Sequence, residues 1–529
     1  MNYISSNLFV ISADDDLDKI QSRLYGYQAT NGSIDIGHYV RVRCDRENIN
    51  LFVDKAGMGL LFEYRCDGYW AYSNSFVLLA QYISRKNKAL TINREYIALF
   101  AKINSITTVS YKETLFKEIT LVPSNREIRI FKATKGVVYK NWKENSHIQI
   151  GTPESFEYID RWANRWISFL RYLVKNNYQV NLQLSGGFDS RVVLALALAS
   201  NINFNYINIE SSTSMLEDLE IAKQICSHFK LNVNSGLLDK FKKTRISRSQ
   251  EFYMNLYYRG CLHKEFLPPT HYRRFTKPVF IFSGYGNMRG WFNDSDSKYY
   301  QYICKNSLIG TDNIQESLKN ILYNSINEVY ERMNYEIPIG RNFMNFVYNY
   351  TRGRYNYGTS VMASASMNQF ICSPILDLQQ INPLQENSND FNLLFAYIYN
   401  RFAPDLLNFP FSGNRCIDQQ TIDKAKSLNK ERFLIETNSN EFNISLQDIY
   451  LPSVNENINE LTSIEIMKWW LSCEVNRKAI AYHIGSEYYD KAIQVLSENK
   501  RHSEKEIFCL FALVNTINNT LKQPTGLIY

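Results

Sequence analysis

The chain has 529 residues, 45% of them hydrophobic and 21% charged, a balance that suits a globular protein with a sizeable core and excludes a disordered or fibrous one. Its net charge of +7, from 59 basic and 52 acidic residues, is mild and its basic residues are scattered, so no nucleic-acid groove is expected. The nine cysteines show no paired metal-ligand spacing, no secretory pattern opens the chain and no apolar run is long enough to cross a bilayer, so a reduced, cytoplasmic protein of two or three domains with no membrane partner is expected.

From Met1 to about Lys143 the pattern is β-rich. Leu8-Phe9-Val10-Ile11, Tyr39-Val40-Arg41-Val42 and Leu51-Phe52-Val53 are short apolar runs bounded by polar or glycine-containing turns. A polar stretch from Glu144 to Pro153 reads as a linker, and a long helix is predicted from about Glu154 to Lys175. A strand from Tyr178 to Leu184 then runs into Ser185-Gly186-Gly187-Phe188-Asp189-Ser190, followed by a helical run from Arg191 to Leu198. Phe204 to Ile209 reads as a strand, Leu216 to Phe229 as a helix and Pro278 to Phe282 as a further strand. From about Phe343 the pattern is mainly helical. Alternating strands and helices predict an α/β architecture with a doubly wound parallel sheet, in which ligands bind at the carboxyl ends of the strands. The turn at Ser185 lies at such an end.

That turn is the most informative stretch of the chain. A glycine-rich turn between a strand and a helix start gathers backbone N–H groups and the positive end of the helix dipole, which suits pyrophosphate. Ser185 and Ser190 add hydroxyl donors. Asp189 is a carboxylate too close to phosphates to sit there without a cation, and Mg²⁺ is the hard, oxygen-seeking ion that fits. No lysine follows the glycines, so this is not a Walker A loop. Two adjacent glycines would also serve a ligand-free turn. The serines and the aspartate weigh toward the phosphate site.

The motif resembles the pyrophosphate loop of the ATP pyrophosphatases, and the chain as a whole resembles an asparagine synthetase-type protein. Asp54-Lys55-Ala56-Gly57-Met58-Gly59-Leu60-Leu61-Phe62 with Trp70-Ala71-Tyr72-Ser73-Asn74-Ser75 is similar to a strand pair of that family's Ntn-type glutamine amidotransferase domain. Thr114 to Ile119 and Leu121-Val122-Pro123 are similar to its closing strands. Leu216 to Ala222, Ser373-Pro374-Ile375-Leu376-Asp377 and Ala403-Pro404-Asp405-Leu406-Leu407 are similar to later family segments. The resemblance implies an amidotransferase-like domain over 1–145 and an ATP-binding synthetase domain over 154–529 with a helical tail. The family's amidotransferase nucleophile is an N-terminal cysteine whose own amine is the base. Position 2 is Asn2 and the nearest cysteine is Cys44, so the domain is expected to be glutaminase-inactive.

By the same resemblance, ATP contacts fall on Leu184, Ser185, Gly186, Gly187, Asp189, Ser190, Ile209, Ser283 and Gly284, with Asp189 as the Mg²⁺ ligand. Ser283-Gly284-Tyr285-Gly286-Asn287-Met288 resembles the β-lactam synthetase and lasso peptide cyclase branch, where the tyrosine belongs to a dyad that deprotonates an amine. A phenol with an ordinary pKa near 10 needs a partner for that, and Glu328 and Glu331 are candidates. A packed core tyrosine is the plainer reading of Tyr285. A family magnesium ligand falls on Met288, whose thioether cannot hold Mg²⁺; Asn287, Asp294 or Asp296 are the substitutes at hand. The family's lysine near the intermediate falls at Ser412, with Arg415 close by as a cation or simply a surface arginine.

The expected activity is an AMP-forming macrolactam synthetase. It would adenylate a side-chain carboxylate of a precursor peptide and close it on the N-terminal amine. A leader-peptide protease and a leader-binding protein are the expected partners. A small-molecule amide or β-lactam-type synthetase, and a non-catalytic binding subunit, remain alternatives.

Overall fold

The computed structural model describes residues 7–93, 95–96, 110–142, 148–202, 207–209, 216–231, 243–245, 257–258, 273–286, 349–382, 389–429 and 441–447, with short stretches at 320–321, 323–325, 327–329, 331–332 and 477–478 and the positions 472 and 474. The first part carries β1 (Val10–Ser12), β2 (Arg23–Asn31), β3 (Ile34–Cys44), β4 (Asn48–Val53), β5 (Phe62–Cys66) and β6 (Tyr69–Ser73). Helix α1 (Phe76–Arg85) and strands β7 (Ile119–Leu121), β8 (Arg126–Phe131), β9 (Val137–Asn141) and β10 (Ile148–Gln149) follow.

β1, β6, β5 and β7 form one antiparallel sheet in that order. β2, β3, β4, β8 and β9 run in order through a second antiparallel sheet. Val40, Val42, Leu51, Val53, Ile128 and Ile130 of the second sheet share a buried cluster with Ile11, Trp70 and Tyr72 of the first, so the two sheets face each other across it. Of the strand pair expected at Asp54–Phe62 and Trp70–Ser75, the second segment falls on β6, but Asp54 to Leu61 is irregular connection and the strand that pairs with β6 is β5, beginning at Phe62.

That connection is shaped by one carboxylate. Asp54 accepts the backbone N–H groups of Gly59 at 2.6 Å, Tyr39 at 3.2 Å and Met58 at 3.2 Å. An aspartate that satisfies several turn amides holds a compact turn without regular secondary structure.

The second part opens with α2 (Pro153–Lys175). Thr152 caps it by accepting the Ser155 N–H, and Pro153 occupies the first turn, where its missing N–H costs nothing. Then come β11 (Gln179–Leu184), α3 (Phe188–Ala199), β12 (Ile207–Ile209), α4 (Leu216–His228), β13 (Lys243–Arg245), β14 (Arg273–Phe275) and β15 (Val279–Phe282). The remaining elements are α5 (Arg354–Ala365), β16 (Gln369–Cys372), β17 (Ile381–Asn382), α6 (Asn389–Phe402), α7 (Gln419–Leu428) and β18 (Asn443–Leu446).

β12, β11, β15 and β16 form a parallel sheet in that order. α3 is buried along nearly all of its length, which suits its almost unbroken apolar sequence. Residues of α2, α3, α4, α6 and α7 join the sheet in one core, giving a mixed α/β fold.

The later part is not only helical. β16 extends the parallel sheet, and β18 pairs antiparallel with β2, so a strand from beyond residue 440 edges the sheet built by the first part of the chain. Both strands are four residues long, too short for a periodicity to declare them. Tyr25, Tyr27 and Ala29 share one face of β2; Tyr25 enters the first core, whereas Tyr27 and Ala29 enter the core around the parallel sheet.

Candidate functional site

In the parallel sheet, β11 comes first in the chain but lies between β12 and β15, so the connection after β11 runs to one side, to β12, and the connection after β15 runs to the other, to β16. The crevice at the carboxyl ends of β11 and β15 is therefore the topological switch point, where open α/β sheets hold ligands. Leu184 and Ile209 are register partners at the ends of β11 and β12, and the side chain of Leu184 is buried in the core. Two glycine-bearing turns meet at this end.

The first turn runs from Ser185 to Ser190. Its serines clip it shut. The Ser185 N–H donates to Ser190 Oγ at 3.0 Å, Ser190 Oγ donates to the Ser185 carbonyl at 3.2 Å, and the two hydroxyl oxygens are 3.0 Å apart. Gly187 N–H donates to Ser185 Oγ at 3.3 Å. The Ser190 hydroxyl proton is committed inside the turn, so a phosphate taking it would have to exchange this bond. Gly187 is the N-cap of α3 and brings no capping side chain. Gly186 has a packing reason beside the one expected from the sequence: a β-carbon there would lie 2.8 Å from Asp218 Oδ1 and 3.0 Å from Asp218 Cα.

The second turn follows β15. Ser283 is buried and its N–H donates to the Cys372 carbonyl at 2.9 Å. Gly284 rests against the first turn of α3, since a β-carbon on it would fall 2.7 Å from the Ser190 nitrogen. Tyr285 is half-buried. Its ring stacks on Tyr357 with centroids 4.9 Å apart, beside Met58, Val361, Ile371 and Leu376. Neither glutamate considered for it is placed as its partner: Glu328 is paired with Lys112, and Glu331 is exposed. Asn2, Asn287, Met288, Asp294 and Asp296 lie outside the described residues.

A third segment closes over the first turn. Ser412 N–H donates to the Gly186 carbonyl at 3.1 Å, and Gly413 N–H donates to the Glu217 carboxylate at 2.9 Å. Phe411 stacks on Phe188 with ring centroids 3.8 Å apart and an interplanar angle of 3°. Arg415 is exposed; it donates to the Ser412 carbonyl at 2.7 Å and to Ser412 Oγ at 3.0 Å, with its guanidinium 5.4 Å from the centre of the Phe188 ring. Arg415 and the Ser185 turn, far apart in the chain, are thus brought to one place.

Arg191 explains why this segment stays there, and the sequence reading passed over it. The side chain is wholly buried, donates to the carbonyls of Phe409 at 3.0 Å, Leu406 at 3.4 Å and Gly186 at 3.3 Å, also bonds the Pro410 carbonyl, and lies 3.9 Å above the Phe411 ring. Burial pulls its pKa down to about 10, so it is still a cation at neutral pH. The available signal was a lone arginine in an otherwise apolar helical run, since such a charge must find buried partners.

Carboxylates also gather here. Asp189 lies in the first turn of α3, and Glu217 and Asp218 in the first turn of α4 beside the loop. Asp377, after β16, is not among them: it accepts from Arg165 Nη2 at 2.9 Å and Trp166 Nε1 at 2.8 Å, so it anchors α2. Cys44 is half-buried in β3 with its thiol pKa raised by burial, the opposite of an activated nucleophile. Among the described residues, no helix is long and apolar enough to cross a membrane.

No protein-family model and no curated protein matches the chain. Among solved structures, it is similar to glutamine phosphoribosylpyrophosphate amidotransferase from B. subtilis complexed with ADP and GMP, at 10% identity and a TM-score of 0.12. The match covers 53% of this chain and 46% of that one. So slight an overlap leaves the functional reading to the residues themselves.

Proposed function

We propose that the chain is an ATP-dependent amide-bond-forming enzyme that releases AMP and pyrophosphate, acting as a macrolactam synthetase of the lasso peptide cyclase kind. One observation carries this reading: Gly284 abuts the first turn of α3 at the switch point of the parallel sheet, while Ser412 N–H bonds the Gly186 carbonyl of the same turn. An anion-attracting helix start, a second glycine turn and a cover are the parts that adenylation requires.

A carboxylate oxygen of the substrate would attack the α-phosphorus of ATP, with pyrophosphate leaving. The substrate's own amine would then attack the acyl carbon, lose a proton and expel AMP. The turn from Ser185 to Ser190 would hold the β- and γ-phosphates through backbone N–H groups, and Leu184, Ile209, Ser283 and Gly284 would border the nucleoside. Tyr285 would take the amine proton. Arg415, at the edge of the cover, would face developing negative charge.

The donor set suits one magnesium ion shared with the triphosphate. Asp189 is a hard oxygen donor at the turn, and among the described residues no cluster of three or more His, Cys, Asp or Glu groups forms an all-protein cage. Such an ion, held by Asp189 and phosphate oxygens, would neutralise the leaving pyrophosphate. Proximity would supply much of the rate, because both reacting groups belong to one peptide. In this reading residues 1–145 form a glutaminase-inactive, Ntn-amidotransferase-like domain and 154–529 the synthetase domain. A leader-peptide protease and a leader-binding protein would act beside it.

The test is pyrophosphate release by the full chain given ATP, Mg²⁺ and candidate peptides. Peptide-dependent release with a product lighter by one water, lost in Asp189→Ala, supports the proposal. Release that survives Asp189→Ala overturns the loop assignment. Release with a free amino acid instead points to a small-molecule synthetase of the same fold, and absence of both ATP binding and release points to a binding subunit.

A further inference from the structure

The second antiparallel sheet ends at β9, which pairs with β8 on one side only. The register shows which backbone groups are left over. At the two ends of the β8–β9 ladder, Phe131 N–H donates to the Gly136 carbonyl at 2.9 Å and Trp142 N–H to the Asn125 carbonyl at 3.0 Å. Bonded and non-bonded pairs alternate along an antiparallel ladder. Arg129 with Val138 and Glu127 with Lys140 are therefore bonded pairs, while Val137, Tyr139 and Asn141 turn their backbone N–H and C=O groups away from β8. Among the described residues those outward groups meet no hydrogen-bond partner. Such an edge is a template for one more strand.

The side chains state what that strand must carry. Ile128 and Ile130 of β8 enter the core, so Arg129 and Phe131 lie on the opposite, open face of the sheet, where Val138 and Lys140 of β9 join them. Phe131 is 38% exposed and Val138 51%, and they are diagonal neighbours there. Arg129 and Lys140 beside them are exposed. On the inner side of the same edge, the guanidinium groups of Arg65 and Arg126 lie 5.1 Å and 5.0 Å from the centre of the Tyr139 ring. Two carboxylates offset these four cations in part. Glu127 is the cross-strand neighbour of Lys140. Glu63, 3.6 Å from Arg65, is buried and already accepts the hydroxyls of Tyr72 and Tyr139. The edge therefore carries a surplus of positive charge around an exposed apolar pair. A second copy of the chain would bring the same cations to the edge, and like charges on paired strands repel.

We propose that β9 accepts an extended, acidic segment of a polypeptide partner as an added strand. The backbone of that segment bonds Val137, Tyr139 and Asn141, which supplies affinity without regard to sequence. Its apolar side chains cover Val138 and Phe131, and its carboxylates meet Arg65, Arg126, Arg129 and Lys140. The edge shares no residue with the Ser185 turn or its cover, so it stands or falls apart from the proposed activity.

The experiment is fluorescence anisotropy of a short fluorescein-labelled peptide alternating Glu and Val, titrated with the full chain at low salt. Binding in the micromolar range is expected. It should be weaker by at least about tenfold for the peptide with Lys in place of Glu, and for the peptide N-methylated at alternate backbone nitrogens. Lys140→Glu changes an exposed side chain, and Val137→Pro removes an outward N–H without touching a bond to β8, as edge strands tolerate. Both variants should bind the peptide more weakly. The proposal is overturned if the peptide fails to bind at millimolar concentration, or if neither variant weakens it. Equal binding of the N-methylated peptide overturns it too, since charge alone, as for a nucleic acid or an anionic membrane, would then suffice. So does a chain that dimerises by itself and no longer does so as Val137→Pro, because the edge would then hold a second copy.

Discussion

Gly284 lies flat against Ser190: a β-carbon on the glycine would sit 2.7 Å from the Ser190 nitrogen and 2.9 Å from the Asp189 carbonyl carbon. Both neighbours are backbone, so no rotamer change relieves the contact. Gly284→Ala should therefore wedge the two turns apart and cost about 1–3 kcal/mol, the usual size of overpacking. Urea denaturation reads the loss, and in the proposed reaction pyrophosphate release should fall further than stability does. An unchanged denaturation midpoint would show that the turns do not abut.

Arg191→Met keeps the apolar stem of the side chain and removes its hydrogen bonds. The carbonyls of Gly186, Leu406, Phe409 and Pro410 would then lose a buried donor. Each unsatisfied buried group costs about 1–3 kcal/mol and the segment can relax in part, so a total near 3–4 kcal/mol is expected. Amide hydrogen exchange should rise over residues 404–415 and stay unchanged in β3. Equal protection of that segment in the variant would remove Arg191 from the role of clamp.

Gln447 fastens β18 to β2. Its side-chain carbonyl accepts the Gly26 N–H at 2.7 Å, and its own N–H donates to the Gly26 carbonyl at 2.9 Å. Gly26 has φ +105°, a conformation open to glycine at no steric cost. Gln447→Ala leaves the Gly26 N–H without its partner and should cost about 1–2 kcal/mol. Faster proteolysis after residue 440, with the parallel sheet still protected, would confirm the role; wild-type resistance would refute it.

Cys226 makes one part of the stability depend on alkaline pH. Burial raises its thiol pKa from 9.0 to about 12, so the folded protein holds this proton more tightly than the unfolded chain. Its contribution is complete below about pH 9 and is lost as pH rises toward about 12. Cys226→Ala should be less stable at neutral pH by about 1–2 kcal/mol through the lost packing. Between those pH values its stability should fall less steeply than wild type, by up to about 1.4 kcal/mol per pH unit. Parallel pH profiles for the two proteins would contradict the assignment.

Local signals placed many of the elements. Thr152 and Pro153 start α2 and an amphipathic pattern carries it to Lys175, close to the span read from the sequence. The apolar run before Ser185 and the glycines after it located β11, the turn and α3 for the same reason, since caps, turns and periodicities act over a few residues. The clip between Ser185 and Ser190 was half legible. The sequence offers both serines as hydroxyl donors to a ligand, but their geometry binds them first to each other.

Residues 185–190, read alone, specify a strand, a tight glycine turn and a buried helix start, because the interactions that make those features lie within a turn of one another. Only the tertiary structure decided that Gly284 would abut that turn, that Phe411 and Ser412 would cover it under the hold of Arg191, and that β18 would return to the first sheet. Contacts such as Gly26 with Gln447, 421 residues apart, depend on two cores closing together, and no local pattern encodes which distant backbone will supply the missing partner.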